Sequence, residues 1–483
     1  MRRCTSLATP AGTRARQRGA ALMIMMLIVV LGVAALLVRD LAARSAGQAR
    51  VAHAAAALAQ AKEALLGYAL TSDATVTGAF GLLPCPDRDT SGGLAEGEAH
   101  QAACLTRYRS VLGRFPWKTL GVAPGRNAAG ECLWYAVSGS HKHASAALPE
   151  LLNTDSNGQF RVLAADGSTV LAGATPADRV VAVIIAPGAG LPGQVRTTLG
   201  AGVEQCAGNY TAGNYLDRHA ASGSDNATLA AAADSVDDFI AADAAGTAVD
   251  DQLIFITRAE LEERLMQRAD VATRLRALTE AAAECVADYG RHNAAGPGDR
   301  RLPWPAPVDL AQYRADTDYD DALLGALSGR LPDRVNDSGA ATGNSLARVL
   351  TDCDSAAVPE WTAAMRATWQ HWKDHLFYVV AGSYRPDATP HSSCGTCLTV
   401  NGAGAHAAVV MFAGTRLPAL GQLRDQPPAD ADTRGTIGNY LEGRNAANHP
   451  DGTGAGDYQS GAVTATFNDI LYCIGPALDV TSC

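Results

Sequence analysis

The residues of this chain that could do chemistry are few and scattered. Cys394-Gly-Thr-Cys397 has the spacing of a thiol oxidoreductase, in which a helix start lowers the pKa of the first thiol. That chemistry needs a strand-to-helix junction. Here Pro390-His-Ser-Ser precedes the pair and Leu398-Thr-Val-Asn-Gly follows it, which reads as a loop turning into a strand. A local structural bridge, or pairing with cysteines elsewhere, is the expectation. His371-Trp-Lys-Asp-His375 sets two histidines on one helical face, one carboxylate short of an inverted zincin motif. A zinc site needs a third ligand, and no Glu-rich helix follows to supply one. A helix end running into a strand at Leu376 is expected instead. Asp316, Asp318 and Asp320 alternate like the start of a calcium loop, and Asp87 with Asp89 makes a shorter version of the same pattern. The sixth position of the longer one is Asp321, where such loops carry glycine. A structural Ca²⁺ at either place is the only cofactor these spacings suggest. His141-Lys-His143 reads as a solvated loop. There is no Gly-x-Ser-x-Gly, no phosphate loop and no Gly-x-Gly-x-x-Gly opening a helix. A non-enzyme is expected.

Composition narrows the partners. A chain of 483 residues suggests two to three domains, and 47% apolar against 18% charged residues argues against disorder. The net charge is -10, yet Arg2, Arg3, Arg14, Arg16 and Arg18 crowd an acid-free start. The remainder is therefore more acidic still and repels phosphate backbones, which excludes nucleic acid as a partner. Of eleven cysteines, Cys4 lies in the basic start. The other ten are Cys85, Cys104, Cys132, Cys206, Cys285, Cys353, Cys394, Cys397, Cys473 and Cys483. An even number at this density suggests disulfides in an oxidising compartment, with a pairing that spacing does not reveal.

The elements that would position these residues begin with an unbroken apolar run, Ala20 to Val38, long enough to cross a bilayer as a helix. The arginines before it should stay cytoplasmic and the body should lie outside. An alanine-rich, proline-free sequence continues to Leu70, with Val51, Leu58, Lys62, Leu65 and Leu66 at helical spacing, so one long helix is expected over 20–70. A basic leader ending Arg16-Gln-Arg-Gly19, followed by Ala20 and an apolar helix, resembles the class III signal of type IV pilins and type II secretion pseudopilins. The resemblance implies cleavage by a prepilin peptidase between Gly19 and Ala20. Most members carry glutamate at the fifth mature position, and here that residue is Ile24, a departure found in large tip pseudopilins and some minor pilins.

The body reads as a tandem repeat. The segment from Ala59 to Tyr68, running into Gly-Leu-Leu-Pro-Cys-Pro-Asp87, matches Leu278 to Tyr289 running into Arg-Arg-Leu-Pro-Trp-Pro-Ala306. Five further motifs recur in the same order: those around Gly113 and Gly329, from Leu133 and Leu376, from Val180 and Ala407, from Gly213 and Gly438, and from Asp250 and Asn468. Short apolar runs at Leu133–Val137, Val180–Ile185, Leu253–Ile256, Leu376–Val380, Ala408–Phe412 and Ile470–Ile474 suggest buried strands. The expected fold class is α+β: a long transmembrane helix, then two tandem pilin-like units, each a helix packed on an antiparallel sheet. Boundaries fall at 1–19 for the leader, 20–70 for the helix, 71–257 for the first unit, 258–290 for the second unit's helix and 291–483 for its body. The expected function is a membrane-anchored minor pilin or pseudopilin-like structural subunit at a tip or accessory position. Its partners would be the inner membrane, the prepilin peptidase and other pilin-like subunits, and its body would be periplasmic. The alternative is a bitopic periplasmic binding or adhesion protein with an uncleaved signal anchor. The leader separates the two.

Overall fold

The alanine-rich, proline-free start forms α1 (Gln17–Thr71), a single helix of 55 residues. The structure, a computed structural model, describes residues 17–483 except 73–80, 144–150, 198–204, 207, 243–248, 293–297, 323–324, 390–393, 427–431 and 450–452. Among the described residues no helix is long and apolar enough to cross a membrane, which corrects the expected transmembrane segment. The apolar side chains described without interruption run from Met23 to Ala35. That is about 20 Å of helix at 1.5 Å per residue, short of the roughly 30 Å of hydrocarbon in a bilayer. The chain divides into two units, 1–56 and 57–483. In the second, Leu58, Ala61, Leu65, Leu66 and Ala69 form the buried stripe of α1.

The first copy continues with β1 (Val111–Arg114), β2 (Trp134–Val137), β3 (Phe160–Leu163), β4 (Val170–Ala172), β5 (Val180–Ala186), β6 (Asp237–Ile240) and β7 (Gln252–Thr257). They make one sheet in the order β1-β2-β5-β3-β4, with β7 also on β5 and β6 on β3. The β3–β6 pair is parallel. The second copy holds α2 (Arg258–Met266), α3 (Ala269–Arg291), β8 (Ser328–Arg330), α4 (Asp337–Thr342), α5 (Ala363–Trp372), β9 (Leu376–Val380), β10 (Leu398–Val400), β11 (Ala403–His406), β12 (Ala408–Phe412), α6 (Gly443–Asn448), β13 (Asp457–Tyr458), β14 (Ile470–Ile474) and β15 (Val480–Ser482). Here β8-β9-β12-β14-β15 form an antiparallel sheet, and α3 packs on β12, β14 and β15. A separate sheet, β11-β10-β13, contains a parallel pair. The expectation of one purely antiparallel sheet per copy is thus corrected. β3, β4 and β6 correspond in order and pairing to β10, β11 and β13: in each copy an antiparallel hairpin has a first strand that also pairs in parallel with a later strand. Burial of the whole of β12, each large side chain contributing about 1.5–3 kcal/mol, anchors the second core.

The single helix expected over 258–290 is also corrected. Thr257 caps α2 through Glu260 N at 3.1 Å. The helix then stops, because Arg268 adopts an extended backbone (φ -68°, ψ 127°) as α3 begins. Its guanidinium binds Asp270 and the Leu70 carbonyl at the end of α1. Tertiary contact with the first helix interrupts the second.

Equivalent positions of the two copies make the same contacts. Tyr135 and Tyr378 donate to the carbonyls of Pro84 and Pro303, at 3.1 and 3.2 Å. Leu83 N and Leu302 N donate to His141 O and Tyr384 O, both at 2.7 Å. Gly113 and Gly329 each pass so close to the strand ahead of them that a Cβ would strike the carbonyl of Asp87 or Ala306. Arg196 and Arg424 lie over Tyr215 and Tyr440, and each donates to the carbonyl of the asparagine before that tyrosine, Asn214 at 2.8 Å and Asn439 at 2.6 Å.

Candidate functional site

The copies meet through Leu151–Asn157, a segment of the first copy lying between β2 and β3 whose side chains reach into the second. Leu151 packs with Leu310, Tyr313 and Tyr319. Asn153 donates to His371 O at 2.9 Å and Asp374 Oδ1 at 2.8 Å, and Asn157 donates to Gln426 O at 2.6 Å. At the centre is Asp155, completely buried. Its carboxylate stands 3.0 Å from His375 Nε2, 3.0 Å from Arg416 Nε and 3.3 Å from Arg424 Nη1. Burial works against the charged carboxyl, but the Arg424 charge, the His375 ring and Arg416 outweigh it and hold Asp155 well below the usual carboxylate range. In the first copy the arginine equivalent to Arg424 is Arg196, and it finds its carboxylate within its own copy, Glu131 at 2.8 Å. The second copy borrows one from its neighbour.

A histidine beside a buried aspartate suggests acid–base catalysis only if the other ring nitrogen faces a nucleophile. His375 Nδ1 faces the Ala413 carbonyl at 2.8 Å, and the ring is enclosed by Trp372, Phe412 and Tyr440. This node can lock the two copies together. Both ring nitrogens of His375 face protein groups among the described residues. A small cavity of about 30 Å³ lies beside it, lined by Leu152, Thr154, Arg258, Leu261, Glu262 and Trp372 among others. Burial, then the Asp155 charge, pushes Glu262 up to about 9, so it enters neutral conditions protonated.

The residues singled out from sequence do not gather into one site. Gly19 and Ala20 lie in the first turn of α1, and 1–16 lie outside the described residues. Asp87 is buried, accepts from Gly97 N at 2.7 Å and Tyr210 OH at 3.0 Å, and is pushed up to about 6 by burial. Asp89 is turned toward Ser91 N at 2.8 Å and His100 at 3.3 Å. Asp316 pairs with Lys373 at 2.5 Å, Asp318 accepts from Gln312 N at 2.8 Å, and Asp320 accepts from Asn336 at 2.6 Å. The aspartates expected to hold Ca²⁺ face separate protein partners, and among the described residues they form no common oxygen cage. His141-Lys-His143 is corrected from solvated to buried. Lys142 Nζ donates to the carbonyls of Thr106 and Arg109, and burial lowers His141 to about 3. The ten cysteines pair as 85–104, 132–206, 285–353, 394–397 and 473–483. Cys394 and Cys397 thus form a local bridge just before β10. His371 ends its helix at α5 while His375 turns in toward Asp155, so the two do not share a ligand.

Sequence reasoning missed a second recurring arrangement, although its residues sit in motifs that recur between the copies. Asp250 and Asp251 lie just before β7, and Asn468 and Asp469 just before β14. Asp217 and Glu442 stand on the preceding loops. Asp251 Oδ2 accepts from Asp217 N at 2.7 Å while Asp217 Oδ2 accepts from Asp250 N at 2.8 Å. Likewise Asp469 Oδ2 accepts from Glu442 N and Glu442 Oε2 from Asn468 N, both at 3.0 Å. Oxygens of Asp217, Asp250 and Asp251 come within 4.8 Å of one another. The third carboxylate is an amide in the second copy, yet the reciprocal clasp is unchanged, so the clasp does not depend on it. No family model, curated protein or solved structure matches this chain.

Proposed function

We propose that this chain is a structural subunit of a type IV pilus or type II secretion-like assembly, a minor pilin or pseudopilin-like protein in a tip or accessory position. The observation that carries the reading is α1. From Met23 to Val33 its large apolar side chains are between 52% and 74% exposed on every side of the helix. An apolar surface of that kind calls for cover by lipid or by other helices. In the proposal it meets the inner membrane first and the corresponding helices of other subunits later, with Gly32, Ala34 and Ala35 permitting close approach. Five disulfides and a body in which one copy completes the other fit a rigid head carried in the periplasm. The basic leader is the substrate of a prepilin peptidase in this reading.

The test is the mass of the mature chain in cells with and without that peptidase. The expected result is a terminus at Ala20 in the parent and an uncut leader in the mutant. A parent terminus anywhere else refutes the reading, and a leader retained in the parent favours a binding or adhesion protein instead.

A further inference from the structure

We infer that each copy carries a proton-held clasp, in which two buried acids, each accepting the backbone N–H beside the other, cannot both ionise without releasing the loops at one end of the sheet. The inference is independent of the assembly role. It rests on an arrangement built twice with different residues. In the first copy the clasp joins the loop after β5, the turn before Asp217 and the entry to β7. In the second it joins the loop after β12, the turn before Glu442 and the entry to β14. Each carboxylate accepts from the backbone N–H beside the other. Asn226 Nδ2 then donates to Asp251 Oδ2 at 3.0 Å, as Asn445 Nδ2 does to Asp469 Oδ2 at 2.9 Å. Gln194 Nε2 donates to Asp217 Oδ1 at 3.4 Å, as Gln422 Nε2 does to Glu442 Oε1 at 2.8 Å. Aspartate in one copy and glutamate in the other preserve the paired acid while changing its length, so the pair itself is what the fold retains.

Two carboxylates held side by side out of water cannot both ionise cheaply. Asp217, Asp251, Glu442 and Asp469 are all buried. The groups that face them are mostly neutral or acidic. Asp250 adds a third carboxyl to the first pair. Arg196 and Arg424 reach the pairs only through the carbonyl oxygens of Gln194 and Gln422, at 2.6 and 3.3 Å. Asp225 turns away onto Ala227 N and Thr228, Arg218 is exposed, and Arg444 is engaged by Asp457. Burial pushes Asp217 up to about 6. Burial and the Asp217 charge take Asp251 to about 7, and burial with the Glu442 charge raises Asp469 well above the carboxylate range. Because the folded values are raised, the clasps contribute fully below about pH 4 and lose that contribution as pH rises through the folded values. The loops are therefore tied in mildly acidic medium and loosened in alkaline medium.

Hydrogen exchange followed by mass spectrometry on the full chain tests this, with rates corrected for intrinsic base catalysis. In the parent, protection over 187–196 and 413–424 should fall at least about tenfold from pH 5.5 to pH 8.5 (a shift of one pKa unit or more). The Asp251→Asn, Asp469→Asn double variant, which mimics the protonated acids, should hold its protection across that range. A parent with no fall, or a folded variant with the same fall as the parent, overturns the inference. Should the double variant fail to fold, the single Asp469→Asn variant decides by the same measurement: it should keep its protection over 413–424 while 187–196 still loses it, and a fall over 413–424 equal to the parent's would overturn the proposal.

Discussion

Changing Asp155 to Asn keeps the side chain's shape and removes its charge. Arg424, Arg416 and His375 then lose the carboxylate that lies 3.0–3.3 Å from each of them. Removing one partner of a buried pair costs about 3–5 kcal/mol, whereas an exposed pair is worth about 0–1 kcal/mol. Arg424 retains the carbonyls of Gly414 and Tyr440, and Arg416 is partly exposed and can turn to water. The lower end, about 3 kcal/mol or roughly a hundredfold in the folding constant, is therefore expected. Urea unfolding at pH 7, followed by tryptophan fluorescence and far-ultraviolet circular dichroism, reads it. Trp361, Trp369 and Trp372 report on the second copy and should lead the transition in the variant, because that copy loses its borrowed charge. The Asp155 carboxyl is held low, so its contribution is present above about pH 4 and lost as pH falls through the folded value. The gap between parent and variant should shrink below pH 4. A loss under about 1 kcal/mol at pH 7, or a gap that does not shrink between pH 4 and pH 2, would refute the reasoning.

Two further outcomes follow from the same structure. Glu262 is raised to about 9 by burial and the Asp155 charge, so it contributes fully below about pH 4 and costs stability as pH rises toward 9. Glu262→Gln should remove that cost, gaining about 2 kcal/mol or more on the parent between pH 5 and pH 9 in thermal unfolding. An unchanged difference across that range argues against a neutral acid at this position. Among the disulfides, Cys285–Cys353 closes a separation of 68 residues and Cys394–Cys397 one of only 3. Chain-entropy arguments give about 4 kcal/mol for losing the first and under about 2 kcal/mol for the second. Calorimetry on the two serine-substituted pairs should rank them in that order.

The parts of this protein legible in its sequence are those set by local pattern. The six apolar runs between glycine and proline punctuation are β2, β5, β7, β9, β12 and β14, because a buried strand needs little more than a short β-branched or aromatic run. The prolines at 84 and 303 fix extended exits whose carbonyls receive the tyrosines of β2 and β9. The sequence around Cys397 turned from loop to strand as its residues suggest, since no helix start is present there. What the pattern could not contain was decided by contacts far apart in the chain. Arg268 interrupts a helical stripe because it must reach the end of α1. Lys142 and its histidines are polar yet buried, because carbonyls from 106 and 109 satisfy the ammonium. Asp155 is one carboxyl among many until the fold places it against His375, Arg416 and Arg424, some 220 to 270 residues away. The recurring motifs already held the clasp residues side by side in the two copies. Only folding brings each pair of acids together and excludes water from them.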